Sequence, residues 1–378
     1  SDAITTAADG TCTAKLTSIG GGGLSHRNLI INGAMNVAQR ATSSTNDGYQ
    51  TIDRFSSSQG STNEAPTREQ VDIASGTTPY TLGFRKAFKI TNGNQTSGAQ
   101  NGSEINLLYN VEAQDIVQSG WNYKSSSSFI TWSFWIKSSV ATNFYGYIRT
   151  YDNTAIGYAF ETGNLQANTW TKIVKTLPGN ANIDIDNDNG VGLQLRLLAY
   201  IGTAYSDNST PLHSWTTYSS TARVPEPPTT WYTTNDATLE VTGYQLEVGD
   251  TATSFEHRSF DDELRRCQRY YNKVYDVEGQ SGEKPFVLGT YLNNSELACV
   301  VNFPKMRAIP SLDITNGTNK FMIRRSSVSD HFNTLTMRYG TTTTAELYTG
   351  SGVSGTQGEC GIIRGADTDV YIAFTAEI

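Results

Sequence analysis

The sequence predicts an all-β protein that consists of a jelly-roll β-sandwich, a short helix and a second, smaller β-sandwich. Charged residues make up only 17% of the 378 residues, and 34 Gly and 20 Tyr accompany many Thr, Ser and Asn, which are middling or poor helix formers. Segments in which apolar and polar residues alternate recur along the chain, as in half-buried strands. Turn-forming residues separate these segments.

Residues 1–26 are predicted to be an N-terminal connector. The run of four glycines from Gly20 to Gly23 is typical of a flexible or tightly turned link. The stretch before it shows at most strand-like alternation. We therefore expect this segment to connect the following domain to a longer N-terminal segment.

Residues 27–258 are predicted to form the jelly roll. Residues 129–137 (FITWSFWIK) place four apolar side chains, including Trp132, on one face of a strand, and residues 192–201 place five on one face. Between residues 238 and 248 the alternation changes phase at Gly243, which predicts a β-bulge. Many short strands joined by polar turns favour a sandwich or jelly roll.

A linking helix is predicted within residues 259–273. Ser259 is a candidate N-cap, and Phe260, Leu264, Cys267 and Tyr271 recur at helical spacing over residues 260–272. We expect the last three of these side chains to pack inward. Residues 274–378 return to alternating strands, the last of them at residues 370–378, and are predicted to form the second, smaller β-sandwich.

Composition and motif searches exclude several functional classes. The net charge is −8 and no Lys/Arg cluster is present, so a nucleic-acid partner is not expected. No apolar run approaches 18 residues, so we expect no membrane insertion. No CxxC, HExxH, G-x-S-x-G or phosphate-loop motif occurs. We therefore expect no catalytic residues and a non-enzymatic protein.

The best metal candidate is the loop that contains Asp184, Asp186 and Asp188. Oxygen ligands at alternate positions suit Ca²⁺. The calcium-loop pattern departs at two places, since Asn189 stands where Gly is needed and Leu195 where Glu is needed. The alternative is a polar loop between two strands, and a structural Ca²⁺ is the only cofactor that the sequence suggests.

Aromatic residues are the candidates for carbohydrate binding, because their flat apolar faces can stack on pyranose rings. Residues 212–232 are rich in Thr, Ser and Pro and contain Trp215, Tyr218, Trp231 and Tyr232. Aromatic side chains exposed on a loop indicate recognition. We predict that these four bind carbohydrate, and the alternative is that they pack inside the domain.

Four stretches of the sequence stand out together: residues 28–40 (NLIINGAMNVAQR), 48–55 (GYQTIDRF), 242–273 (TGYQLEVGDTATSFEHRSFDDELRRCQRYYNK) and 301–312 (VNFPKMRAIPSL). In this order they resemble a family of bacteriophage tail-fibre and related virion-surface proteins that is common among phages of marine bacteria. The NLIING and QLEVG segments also resemble jelly-roll carbohydrate-binding modules, some of which hold a structural Ca²⁺. The stretch at 245–256 joined to the helix is the most specific part.

A structural reading of the motif is also available. Asn28 and Asn32 are expected to bond the backbone where the chain enters the domain, and Gly33 to adopt a conformation closed to other residues. Glu247 and Glu256 are expected to face solvent or to pair with arginines.

The resemblance implies a virion-surface protein without enzymatic activity, most simply a tail fibre or receptor-binding protein that adheres to a host glycan or protein. A head fibre or capsid decoration protein is the alternative, and a polysaccharide-degrading spike is a third reading. Phage fibres are usually trimeric, so the expected partners are two further copies of the chain and other virion proteins on the N-terminal side.

Overall fold

The computed structural model describes residues 26–280, 283–326 and 328–378, together with the backbone of two short N-terminal strands. These strands, β1 (Ile4–Thr6) and β2 (Cys12–Ala14), pair in an antiparallel manner. The rest of the predicted connector, including Gly20 to Gly23, lies outside the described residues. The protein is 43% strand and 6% helix, which confirms the all-β class, and it divides into two units, Ser1–Ser259 and Phe260–Ile378.

Two six-stranded antiparallel sheets form the first unit. Its strands are β3 (Ser43–Ser44), β4 (Phe55–Gly60), β5 (Thr67–Asp72), β6 (Lys86–Thr91), β7 (Glu104–Glu112), β8 (Phe129–Ser138), β9 (Asn143–Thr150), β10 (Ile156–Asn164), β11 (Thr171–Pro178), β12 (Val191–Ile201), β13 (Trp215–Thr217) and β14 (Thr238–Val248). Three short helices are α1 (Thr78–Thr81), α2 (Ala113–Val117) and α3 (Thr230–Thr233).

Sheet 1 has the strand order β13-β10-β9-β12-β7-β4, and sheet 2 has the order β11-β8-β14-β6-β5-β3. The chain crosses between the two sheets several times, so strands adjacent in sequence often lie in opposite layers. This is the jelly-roll sandwich that the sequence predicts. The apolar side chains that alternate along β8 face inward, and Trp132 and Phe134 at its centre are fully buried.

The predicted bulge is present at Gly243. The pairing of β14 with β8 shifts register between Thr242 and Gln245, and Gly243 has a φ of 65°, in the left-handed region that favours glycine. A Cβ atom at this position would lie 2.8 Å from the ring of Phe84. The bulge therefore also makes room for an aromatic side chain.

The entrance motif has the structural role that the sequence predicts. The side chain of Asn28 accepts the N–H of Leu246 at 3.1 Å and donates to the carbonyl of Tyr244 at 3.1 Å. Asn32 has a left-handed φ of 62°, and its amide exchanges two hydrogen bonds with the backbone five residues further on. Gly33 does not have the left-handed φ that was predicted for it. Glycine is needed there for another reason, since a Cβ would lie 2.1 Å from the carbonyl oxygen of Tyr244.

The second unit is a smaller antiparallel β-sandwich, as predicted. It contains α4 (Phe260–Gln268), β15 (Tyr271–Asp276), β16 (Lys284–Asn293), β17 (Glu296–Asn302), β18 (Ser311–Ile314), β19 (Phe321–Arg325), β20 (Val328–Phe332), β21 (Thr336–Gly340), β22 (Thr344–Thr349), β23 (Cys360–Gly365) and β24 (Tyr371–Thr375). A three-stranded sheet, β15-β24-β18, and a seven-stranded sheet, β20-β19-β23-β16-β17-β22-β21, share one hydrophobic core.

The helix is shorter than predicted and belongs to the second unit. It ends at Gln268, whereas the prediction extended it to residue 272 inside a linking segment 259–273. Tyr271 instead begins β15 and pairs with Thr375 of β24, because the aromatic-rich stretch that follows suits a paired strand. Cys267 is buried and Leu264 is half-buried. Among the described residues, no helix is long and apolar enough to cross a membrane.

Candidate functional site

Two of the four predicted carbohydrate-binding residues lie inside the first sandwich. Trp231 is 1% exposed, and its indole N–H donates to the carbonyl of Thr238 at 3.1 Å. Tyr232 is fully buried and stacks on Tyr200 with ring centroids 4.4 Å apart. The prediction that Trp231 and Tyr232 bind carbohydrate is therefore wrong, because helix α3 turns both rings into the core.

The other two predicted residues lie at the edge of sheet 1 and are half-buried. Trp215 on β13 donates its indole N–H to the carbonyl of Pro178 at 2.7 Å and packs against Tyr158. The Tyr218 ring lies 4.1 Å from the guanidinium carbon of Arg149. The structure thus separates the four residues into a core pair and an edge pair, so they do not form one surface.

The outer face of sheet 1 is closed by the chain itself. Residues 202–214 and 218–224, which flank the edge strand β13 and which we call the cover segment, lie against this face, and Val224 forms a small second core with Tyr147 and Leu198 of the sheet. Glu104 on β7 is bridged at 3.1 Å both by Arg196 of β12 and by Arg223 of the cover segment.

The predicted calcium site is not formed. The Asp184 carboxylate accepts hydrogen bonds from Lys124 at 3.3 Å and Asn153 at 2.5 Å. Asp188 accepts the N–H of Gly190 at 2.8 Å, and the Asp186 N–H donates to Asp152 at 2.9 Å. Among the described residues, no group of three or more His, Cys, Asp or Glu side chains could hold a metal ion. The carboxylates of Asp184 and Asp188 bond to nearby donors instead, and the loop is the polar connection that the sequence left as the alternative.

The outer face of sheet 2 is covered in part by a small cluster around Phe84, and beside this cluster lies a pocket of about 320 Å³. Ser133 and Trp135 of β8, Lys172 of β11 and the bulge at Gly243 line its floor. Residues 252–257, which we call the wall segment, form one side. This volume falls within the range of small-molecule sites.

Aromatic rings dominate the pocket. Phe84, Phe255 and His257 contact one another with centroid distances of 4.8 to 5.1 Å, and Trp135 is half-buried in the floor. The imidazole Nε2 of His257 lies 2.9 Å from the carbonyl oxygen of Leu82. Because a carbonyl only accepts hydrogen bonds, Nε2 carries the proton, and in the neutral ring Nδ1 remains an acceptor.

Two buried side chains of β14 hold the wall segment in place. Glu247 accepts the N–H of Thr253 at 2.8 Å and its hydroxyl at 2.6 Å. Gln245 donates to the carbonyl of Ser254 at 3.3 Å and accepts the N–H of Glu256 at 2.8 Å. The QLEVG strand, which carries much of the family resemblance, thus fixes one side of the pocket.

The third anchor of the wall segment is the Glu256 carboxylate. It accepts the backbone N–H groups of His26 and Asn28, each at 2.7 Å, and lies 3.5 Å from Arg258. Burial alone would raise the pKa of Glu256, but these N–H groups and the charges of Arg258 and Arg27 hold the pKa below its usual range. Gln245, Glu247 and Glu256, which we call the wall anchors, fasten this segment to the rest of the sandwich.

One signal for this pocket is present in the sequence of β8. Trp135 stands on the otherwise polar face of the alternating strand β8, two residues from Ser133 and opposite to the core-facing Trp132. A large aromatic side chain on such a face needs a cover or a ligand. Phe84, Phe255 and His257 carry no comparable signal, because only the sheet order brings them beside Trp135.

No protein-family model and no curated protein sequence matches this chain. Among solved structures, it is similar to the enzymatically active domain of bacteriophage CBA120 tailspike protein 4, with 12% identity and a TM-score of 0.29, over 58% of this chain and 21% of that one. It is also similar to a structure titled "CBM4 structure and function" (13%, TM-score 0.31, 58% and 99%). A third is the tandem CBM22 domain of Paenibacillus barcinonensis Xyn10C (10%, TM-score 0.25, 85% and 93%). At TM-scores below 0.5, these likenesses assign neither a family nor a ligand.

Proposed function

We propose that this chain is a non-enzymatic adhesin of the bacteriophage virion surface, and that the pocket on the outer face of sheet 2 binds a host glycan. The pocket is the single observation that carries the proposal. The Trp135 ring offers a flat apolar face in its floor, while Ser133, Thr253 and Ser254 place hydroxyl groups around it. A pyranose needs both, since its ring faces are apolar and its edges carry hydroxyls.

The assignment to a virion rests on the family resemblance. In the structure, two of the resembling stretches contact each other. The stretch at 28–40 and the stretch at 242–258 bond to each other, and together they anchor the wall segment. A tail fibre or receptor-binding protein uses such a pocket directly. A head fibre or capsid decoration protein is the alternative, and immunogold labelling of virions with an antibody to this chain separates tail from capsid.

The proposal includes self-association, for which we expect a homotrimer attached to other virion proteins on its N-terminal side. A single pocket of this kind binds weakly, because an exposed sugar site buries little area. Three linked pockets gain about 10² to 10⁴ in avidity without a new contact. Light scattering of the full chain tests this expectation, and a mass of one chain contradicts it.

The decisive experiment compares two tryptophan variants in binding to host cells and to a glycan array. Trp135→Ala removes the floor of the pocket, and we expect it to weaken binding about tenfold or more. Trp215→Ala removes a half-buried tryptophan at the edge of the other sheet and serves as the matched control. Both variants are first checked for an unchanged oligomeric state and circular-dichroism spectrum.

The opposite result, in which Trp215→Ala abolishes binding and Trp135→Ala does not, moves the site to the edge of sheet 1.

A second assay tests the non-enzymatic part of the proposal. Incubation with the bound polysaccharide is expected to leave its chain length unchanged, and release of new reducing ends contradicts that expectation.

A further inference from the structure

We propose that the pocket selects an acidic sugar, and that Lys172 pairs with the carboxylate of a uronic acid unit. This inference rests on the proposed function, because it names the class of glycan that the same pocket takes. It depends on three observations: the position of Lys172, the neighbouring charges, and the absence of acids from the pocket lining.

Lys172 lies beside the aromatic floor of the pocket. In the register of β11 with β8, Lys172 is the direct partner of Trp135, so both side chains are on the outer face of sheet 2. Cβ atoms of such a pair are about 4.5 to 5.5 Å apart. A pyranose stacked on Trp135 therefore brings its ring substituents within reach of the Lys172 ammonium group.

Lys172 differs from the other lysines on the same face. Lys137 pairs with Glu240 at 2.9 Å, and Lys89 pairs with Glu69 at 2.8 Å, so the two ion pairs form a row of alternating charges across four strands. None of the salt bridges among the described residues involves Lys172, and its side chain is exposed. It is a cation at a pocket rim that the protein itself leaves available.

The pocket lining has a charge opposite in sign to that of the whole protein. The chain has a net charge of −8 with 36 acidic residues, yet no Asp or Glu is among the described residues that line the pocket. An anionic ligand is therefore attracted locally by Lys172 and meets no carboxylate there. One ammonium group matches a monoanionic carboxylate, whereas a phosphate dianion is usually held by several donors.

His257 adds a hydrogen-bonding atom to the pocket. Its Nδ1 is an acceptor in the neutral ring and can receive a sugar hydroxyl, since Nε2 is bonded to Leu82. The wall segment supplies a hydroxyl donor at Ser254, while the Thr253 hydroxyl donates its proton to Glu247 and can only accept from a ligand. Stacking, hydroxyl recognition and charge recognition thus come from different sides of one pocket.

The test uses oligouronates of galacturonic, glucuronic and mannuronic acid and their methyl esters, which keep the ring but remove the charge, together with neutral oligosaccharides. Solvent-exposed ion pairs contribute little, so we expect the acid form of the best ligand to bind about two- to fivefold more tightly than its ester at low salt. High salt should remove this preference. Calorimetry or biolayer interferometry on the full chain measures both.

Two lysine variants assign the preference to the pocket. Lys172→Gln is expected to bind acid and ester equally while keeping the affinity for the ester. Lys305→Gln removes the charge of an exposed lysine in the second unit and is expected to leave the preference unchanged.

Equal binding of acids and esters by the unaltered protein, or binding of neutral sugars alone, overturns the inference but leaves glycan binding intact. A preference that survives Lys172→Gln also overturns it. If no member of the panel binds, the proposed function fails and the inference fails with it.

Discussion

The first unit has two outer sheet faces that carry aromatic side chains, and the two faces differ in how far other parts of the chain cover them. On sheet 1 the cover segment packs onto the sheet and closes a small core around Tyr147. On sheet 2 the covering is incomplete: Ala34, Ile73 and Phe84 form a small cluster on the sheet, and Trp135 packs against it and lines a pocket that stays open. The difference shows that local aromatic density marks the segment that covers a sheet, whereas the open site collects its rings from distant parts of the chain.

The largest effect is expected from Trp231→Ala. This side chain is 1% exposed within the main core, so its removal should lower the free energy of unfolding by about 3–5 kcal/mol. Trp135→Ala is the comparison. Because Trp135 is only half-buried, its removal should lower the free energy of unfolding by a clearly smaller amount. Denaturant unfolding of both variants measures the difference. Equal losses would break the distinction between core and pocket tryptophans.

A second test concerns the bulge beneath the pocket. Gly243→Ala places a Cβ 2.8 Å from the Phe84 ring and 3.2 Å from Trp135 at a left-handed φ, and we expect about 2–3 kcal/mol of lost stability. Gly163→Ala is a matched control, since Gly163 has a φ of 76° with nothing within 4 Å of its Cβ. The Gly163→Ala variant should lose only about 1 kcal/mol of stability. Ligand binding should weaken in Gly243→Ala and stay unchanged in Gly163→Ala.

The cover over sheet 1 can be loosened separately. Glu104→Gln removes the carboxylate that Arg196 and Arg223 share, and leaving partly buried guanidinium groups without it should cost about 1–2 kcal/mol. Faster amide hydrogen exchange in the cover segment is the expected readout, with ligand binding at the sheet 2 pocket unchanged. Lost binding in this variant would mean that the two faces are coupled.

The smallest effect is expected from Glu256→Gln, in the way that the free energy of unfolding changes at acidic pH. The pKa of Glu256 is lower in the folded protein than its usual value, so its carboxylate stabilises the fold above about pH 4.3, and this contribution disappears as the pH falls through the folded pKa. Glu256→Gln should be less stable than the unaltered protein at pH 7, by less than about 1 kcal/mol.

This difference should shrink below about pH 4, as the carboxylate is protonated. Melting curves from pH 3 to 7 measure it, together with ligand affinity, because Glu256 anchors the wall segment. A difference that is constant with pH would mean that the variant acts through packing.

Much of the scaffold could be predicted because it follows from local rules. Alternation at residues 129–137 and 192–201 gives the strands, and Asn28 and Gly33 fulfil backbone roles that few other residues can take. The helix was overextended because Tyr271 fits both the helical spacing and the strand that pairs with β24. Only that pairing, made with residues about a hundred positions away, decides between the two.

The candidate site was harder to predict than the scaffold. Trp231 and Tyr232 lie in a Thr-rich stretch that resembles a loop, yet the short helix α3 turns them into the core. The pocket depends on the strand order β11-β8-β14, which places Lys172 beside Trp135. No local pattern encodes that order, so a residue-by-residue reading favours dense aromatic segments over dispersed ones.

Different side chains hold the wall segment in place and line the pocket. Gln245, Glu247 and Glu256 hold the backbone of the segment without lining the pocket, whereas Phe255 and His257 line the pocket and also pack on Phe84. Substitutions at the exposed lining positions Lys172 and Ser254 can therefore alter which molecule is recognised at little cost to foldability. Such a separation makes the ligand range of this surface open to rapid change by point mutation, and it makes the same positions suitable for a library that redirects the pocket to new targets.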